Sequence, residues 1–201
     1  MQNDLKVTFF SNFLNAHQLP FCNAMSDLFG EGFKFVATEH SDGAGVSAGI
    51  KDISEEHSFC VCSYASDEAA DIALKLAKES DVVIIGSAPE KYFLESVRNA
   101  VGGKLVFRYS ERLFKPMYGR CIKWHSYLAL QALLNRFRNY FLLSAGSYAA
   151  EDFQKLLMPK NRMFKWGYFP VILKCGEADY AVFKENKKPR ILWAGRMLDW
   201  K

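Results

Sequence analysis

Two short segments of this 201-residue chain hold side chains of the kinds that bind and protonate polar substrates. The first is SNFLNAHQLP, residues 11–20, in which Asn12, Asn15 and His17 follow an apolar run. Histidine as a type titrates near neutrality, so His17 suits polarising a leaving group, positioning a phosphate or binding an acceptor hydroxyl. Its plainer reading is a solvent-facing residue at a helix start. Asn12 and Asn15 either bind hydroxyls or close the turn. The second segment is Ser110, Glu111 and Arg112, directly after another apolar run. A carboxylate beside a guanidinium suits recognition of a polar acceptor, the arginine making two-point bonds to phosphate or carboxylate; otherwise the two are a surface ion pair of little energetic weight. Lys115, Arg120 and Lys123 extend the positive charge beyond them.

Both segments need elements that bring them together. Short apolar runs bounded by turn residues predict strands over 5–11, 33–38, 58–63, 82–86, 104–109, 140–144 and 163–166. Helical stretches fall between most of them, over 18–29, 67–79, 90–100, 122–138 and 148–157. This βαβα alternation requires right-handed crossovers and buries a mainly parallel sheet between helix layers, a Rossmann-like, doubly wound α/β fold. DVVIIG, apolar on both faces, reads as a central strand, and Ser87, Ala88 and Pro89 after it supply a cap and an early proline. In such sheets ligands bind beyond the carboxyl ends of the strands, where His17 and residues 110–112 are expected to share one cleft. In 122–138, Leu130, Leu133, Leu134 and Phe137 repeat at the spacing of one apolar helix face, with Trp124 and Tyr127 near Arg120 and Lys123. That stripe is core packing, or else a surface for an anionic membrane.

Composition narrows the function classes. Half of the residues are apolar and 15% aromatic, which rules out disordered and fibrous proteins. The net charge of +4 is too small for a dedicated nucleic-acid binder, although residues 104–138 carry 8 basic side chains against 1 acidic. Cys22, Cys60, Cys62, Cys121 and Cys175 sit mostly in apolar surroundings, the pattern of free thiols in a reducing cytoplasm. The C-x-C pair lacks a second pair at zinc spacing, so no metal is expected, nor any cofactor. Gly43, Gly45 and Gly49, in a long acidic loop over 40–57, miss the dinucleotide-binding spacing. MQNDLKVTFF has no signal-peptide pattern and no apolar run reaches the ~18 residues of a membrane span, so a cytoplasmic protein is expected, soluble or peripheral at the inner face of the membrane.

After the charged stretch ENKKP comes RILWAGRMLDWK, a strand of buried type. It resembles the opening of the donor-binding domain of GT-B glycosyltransferases, especially glycosyltransferase family 4. In that family a strand ending in Gly-Arg-hydrophobic is followed by a lysine, and the two cations grip the diphosphate of a nucleotide-sugar. Gly195, Arg196 and Lys201 occupy those places, with Met197 as the hydrophobic residue. The resemblance implies that residues 1–180 are a Rossmann-like acceptor-side domain, and 181–201 a linker and the first strand of a truncated donor-binding domain. It departs from the family in lacking a glycine-rich turn after the first strand and a histidine after the fifth.

The function the resemblance implies is transfer of a sugar, a hexosyl group by expectation, from a nucleotide-sugar to an unidentified small-molecule, glycan or lipid-linked acceptor. Asn12, His17, Ser110, Glu111 and Arg112 are the expected acceptor-binding residues, His17 is the candidate for catalysis, and residues 1–201 alone are expected to be inactive. A non-catalytic Rossmann-like binding or partner domain is the alternative. A different α/β enzyme is disfavoured, because neither a Gly-x-Gly-x-x-Gly nor a P-loop is present.

Overall fold

The computed structural model describes residues 4–41, 51–113, 122–171 and 176. Along them run β1 (Val7–Ser11), α1 (Leu19–Phe29), β2 (Phe33–Ala37), β3 (Cys60–Cys62), α2 (Asp67–Glu79), β4 (Val82–Ile85), α3 (Glu90–Val101), β5 (Leu105–Ser110), α4 (Ile122–Leu134), β6 (Tyr140–Ala145), α5 (Ala149–Lys155) and β7 (Met163–Trp166). All seven expected strands and five expected helices are present. The strands form one sheet in the order β3-β2-β1-β4-β5-β6-β7, and every adjacent pair is parallel. The chain is therefore a Rossmann-like, doubly wound α/β fold, whose strand order reverses between β1 and β4.

β4, the strand of DVVIIG, is the middle strand of the seven, and β1 beside it is buried at each of its five residues, with Phe9 in register with Phe35 on one side and Ile84 on the other. Successive side chains alternate between the two faces. Phe10 joins Val36, Val83, Ile85 and Val106 in a core covered by Ala73 and Ala77 of α2, Tyr92 and Ala100 of α3, Leu134 of α4 and Phe153 of α5. Val7 and Phe9 join Phe33, Phe35 and Ile84 in a second core covered by Cys22 of α1. Each fully buried phenyl group contributes about 1.5–3 kcal/mol of transfer free energy, so the pairing of the two faces is the main source of stability. Helix α2 starts where the Ser66 hydroxyl accepts the Ala69 amide at 3.1 Å, with Asp67 and Glu68 in the first turn and Lys78 in the last, charges placed to suit the helix dipole.

Three sequence expectations change. Pro89, not Ser87, stands at the N-cap of α3, and no side chain caps that helix. Helix α4 ends at Leu134, short of residue 138, because the Arg162 guanidinium donates to the carbonyls of Asn135 and Phe137 and stabilises the turn that replaces the last helical residues. The expected stripe on α4 also divides, with Leu134 buried and Phe137 half-buried while Leu130 and Leu133 are exposed; Gln131 takes the inward position, donating to Asn135 and to the Met158 sulfur. Among the described residues no helix is long and apolar enough to cross a membrane. Gly43, Gly45, Gly49, Lys115, Arg120, Cys121, Cys175 and the segment 177–201, with Gly195, Arg196 and Lys201, lie outside the described residues.

Candidate functional site

The carboxyl ends of β1, β4 and β5, with the turns that follow them, enclose a cleft of about 660 Å³. It lies beside the strand-order reversal, where two neighbouring crossovers leave the sheet in opposite directions and open a crevice. Asn12, His17, Ser110, Glu111 and Arg112, far apart in sequence, all line it. The expected juxtaposition of the two polar segments is therefore observed.

The β1–α1 turn is built by its own amides. Asn15 Oδ1 accepts the His17 amide at 2.9 Å, and the Asn15 carbonyl accepts those of Gln18 and Leu19, which start the helix. Asn15 thus closes the turn, as its type allows. The Asn12 carbonyl accepts the amides of Thr38 and Glu39, and its Oδ1 accepts the Ser11 hydroxyl at 3.2 Å. From outside the turn, Ser54 of the short helical turn Ser54–Glu56 accepts the Leu14 amide, and Asp52 Oδ1 in turn accepts from the Ser54 amide and hydroxyl. The end of the acidic loop is thereby tied to the site. Gln18 is buried, donates through Nε2 to Ser11 Oγ at 3.2 Å, and leaves Oε1 with no hydrogen-bond partner.

Across the cleft, the segment after β7 folds back over the strand ends. The Phe169 amide donates to the His17 carbonyl at 2.8 Å, and Phe169 stacks on Phe21 and meets Trp166 edge to face. This places the Tyr168 ring 5.3 Å from the His17 ring and its hydroxyl on the Glu111 carboxylate, to which it donates. Burial raises the Tyr168 pKa first, and the bond to Glu111 raises it further, since that bond favours the protonated phenol. Burial also raises that of Tyr109 beside it. Tyr109 leans over Gly86, where a Cβ would stand 2.9 Å from the tyrosine ring and 3.4 Å from the Phe10 carbonyl, so only glycine lets the β4 end pass.

The arginines occupy the α3 and α5 side. Arg112 Nε lies 3.4 Å from Oδ2 of the buried Asp152, close enough for charge attraction without a well-directed hydrogen bond, and its guanidinium lies 4.9 Å from the centre of the Tyr148 ring. Arg108 also lines the cleft, its guanidinium between the rings of Phe93 and Phe153 at 5.5 and 5.3 Å. Ser110 turns its hydroxyl to the Glu111 carbonyl at 2.8 Å. Among the described residues no cluster of His, Cys, Asp or Glu could hold a metal.

Four contributors escape the sequence reading: Gln18, Arg108, Asp152 and Tyr168. Arg108 carries a signal, a charge inside the apolar strand LVFRYS, whereas Tyr168 follows the last strand with nothing to mark it. No protein-family model matches the chain, and no curated protein matches it either.

Proposed function

We propose that the chain is the acceptor-side part of a glycosyltransferase and that this cleft takes the acceptor. The observation that carries the reading is the convergence of His17, Ser110, Glu111 and Arg112 on one crevice at the carboxyl edge of a parallel sheet. The similarity of RILWAGRMLDWK to a donor-binding motif supports it from the sequence side. In this reading a hydroxyl of the acceptor attacks the anomeric carbon of the nucleotide-sugar, a new glycosidic C–O bond forms, and the bond to the diphosphate oxygen breaks with its electron pair leaving on the diphosphate. His17 is placed to receive the hydroxyl proton, and Glu111 with Ser110 orients the acceptor. Gly195, Arg196 and Lys201 hold the diphosphate, Arg196 through a two-point contact and Lys201 as a point charge.

The test is sugar transfer, or donor hydrolysis, by the full-length natural protein with UDP-, GDP- and ADP-sugars. Arg196→Ala and Glu111→Gln are each expected to lower kcat/KM at least tenfold, about 1.4 kcal/mol of transition-state stabilisation, with the melting temperature unchanged for Glu111→Gln. Failure to bind or turn over any nucleotide-sugar would remove the reading, as would wild-type rates in both variants.

A further inference from the structure

We propose that the half of the cleft facing α3 and α5 is an oxoanion site, and that the group it takes is a phosphate monoester carried by the acceptor. The assignment of that phosphate to the acceptor rests on the preceding reading; the anion site does not. Its basis is Arg108. This guanidinium sits between two phenyl rings beside the Tyr140 hydroxyl, and among the described residues no carboxylate pairs with it, although it carries five N–H donors. Burial raises the pKa of the Tyr140 phenol, so this neighbour answers none of the arginine's charge. A half-buried cation with no counter-charge from the described residues is completed favourably by an anion from outside the chain, and Arg108 opens onto the cleft.

The surroundings favour a multiply charged anion. Arg112 lines the same cleft, its position fixed by Asp152 and Tyr148. Gly86 and Ser87, in the connection from β4 to α3, line it as well. Two guanidinium forks suit the several oxygens of a phosphate better than the two of a carboxylate. The only carboxylate among the described lining residues is Glu111, which is engaged by Tyr168. On the β1–α1 side the lining has no lysine or arginine; His17, Asn12 and the unpartnered Oε1 of buried Gln18 are groups for hydroxyls. The ligand class is therefore a sugar or polyol phosphate, hydroxyls toward His17 and phosphate toward Arg108.

Titration calorimetry of the full chain at low salt, with inorganic phosphate and with glycerol 3-phosphate against glycerol, tests the site. Saturable phosphate binding is expected, weakened at least tenfold in Arg108→Met and by less than twofold in Arg98→Ala, which removes an arginine paired with Glu95 outside the cleft. Absent saturation in the wild type, or equal losses in the two variants, would overturn the proposal. Should Arg108→Met not fold, phenylglyoxal modification of the wild type read by mass spectrometry decides: phosphate protects Arg108 and Arg112 if the site is real and neither if it is not. Where sugar transfer is measurable, Arg108→Met is expected to raise KM for a phosphorylated acceptor and leave the donor KM unchanged; a raised donor KM alone would overturn the assignment to the acceptor. Arg108-dependent phosphate binding without any sugar transfer would instead remove the glycosyltransferase reading and leave the anion site standing.

Discussion

Replacing Arg112 with alanine separates the stability of the site from its chemistry. From sequence, Arg112 is a strand-end surface residue whose loss spares the fold. In the structure its partner Asp152 is only 2% exposed, whereas the Arg112 side chain is 35% exposed. Removing one member of a fully buried pair costs about 3–5 kcal/mol where the other charge is left without a partner. Four features reduce that here: Asp152 has a further interaction besides Arg112, the 3.4 Å separation lacks hydrogen-bond direction, solvent screens the half-buried arginine, and Asp152 lies in the first turn of α5, where the helix dipole favours negative charge. The expected loss is about 1–2 kcal/mol, or about 2–8 °C in melting temperature for a chain of this size. Urea unfolding followed by circular dichroism of Arg112→Ala, Asp152→Asn and the double variant measures it. The arginine substitution should cost less than about 0.5 kcal/mol once Asp152 is neutral, a coupling of about 0.5–2 kcal/mol. Equal costs in the two backgrounds would refute the argument, and any activity lost in Arg112→Ala would then belong wholly to substrate contact.

Two further outcomes follow from buried groups. Tyr92→Phe removes a hydroxyl that is buried without a hydrogen-bond partner, so stability should be unchanged or rise by up to about 1 kcal/mol; a loss larger than that in the urea midpoint would contradict the assigned environment. Burial pushes the Cys60 thiol up to about 12, with Cys62 adding to the shift, and raises the pKa values of Cys22, Tyr64 and Tyr168. The folded chain therefore keeps protons that the unfolded chain begins to release near pH 8.5, so stability is intact below that pH and falls between about pH 9 and 12. Urea midpoints at pH 7.5, 9 and 10.5 should decline, less steeply in Cys22→Ala/Cys60→Ala, and a flat profile would contradict the sign.

Why the strands were legible and parts of the site were not is visible in single residues. Runs such as VVII and VTFFS are apolar on both faces because their strands are covered on both sides, so composition alone marks them. On helix α4 the spacing of Leu130, Leu133, Leu134 and Phe137 marks one apolar face, but Leu130 and Leu133 are exposed, and Gln131 turns inward because Asn135 and the Met158 sulfur can accept from its amide. Its early end depends on Arg162, a partner no local pattern indicates. His17 and Glu111 stand out because they directly follow strands, whereas Tyr168 and Asp152 acquire their roles only from contacts with residues distant in sequence.

The division of the cleft into two chemistries follows from the pleat of β5. Arg108 and Tyr109 are successive strand residues and must leave opposite faces of the sheet. The face of Arg108 is covered by α3 and α5, which supply Phe93 and Phe153 as stacking partners and Asp152 to hold Arg112. That of Tyr109 is covered by α1, the end of β7 and the segment after it, which supply Phe21, Trp166 and the Tyr168 hydroxyl for Glu111. Because β5 lies beside β4, and β4 beside β1, both sets meet at the same strand ends as the β1–α1 turn. A ligand that uses both halves has to straddle the edge of the sheet at Gly86, the one point where the strand end leaves no room for a side chain. Gly86→Ala should therefore displace Tyr109 and weaken phosphate and hydroxyl contacts together, whereas Arg108→Met and Glu111→Gln should each weaken one set alone.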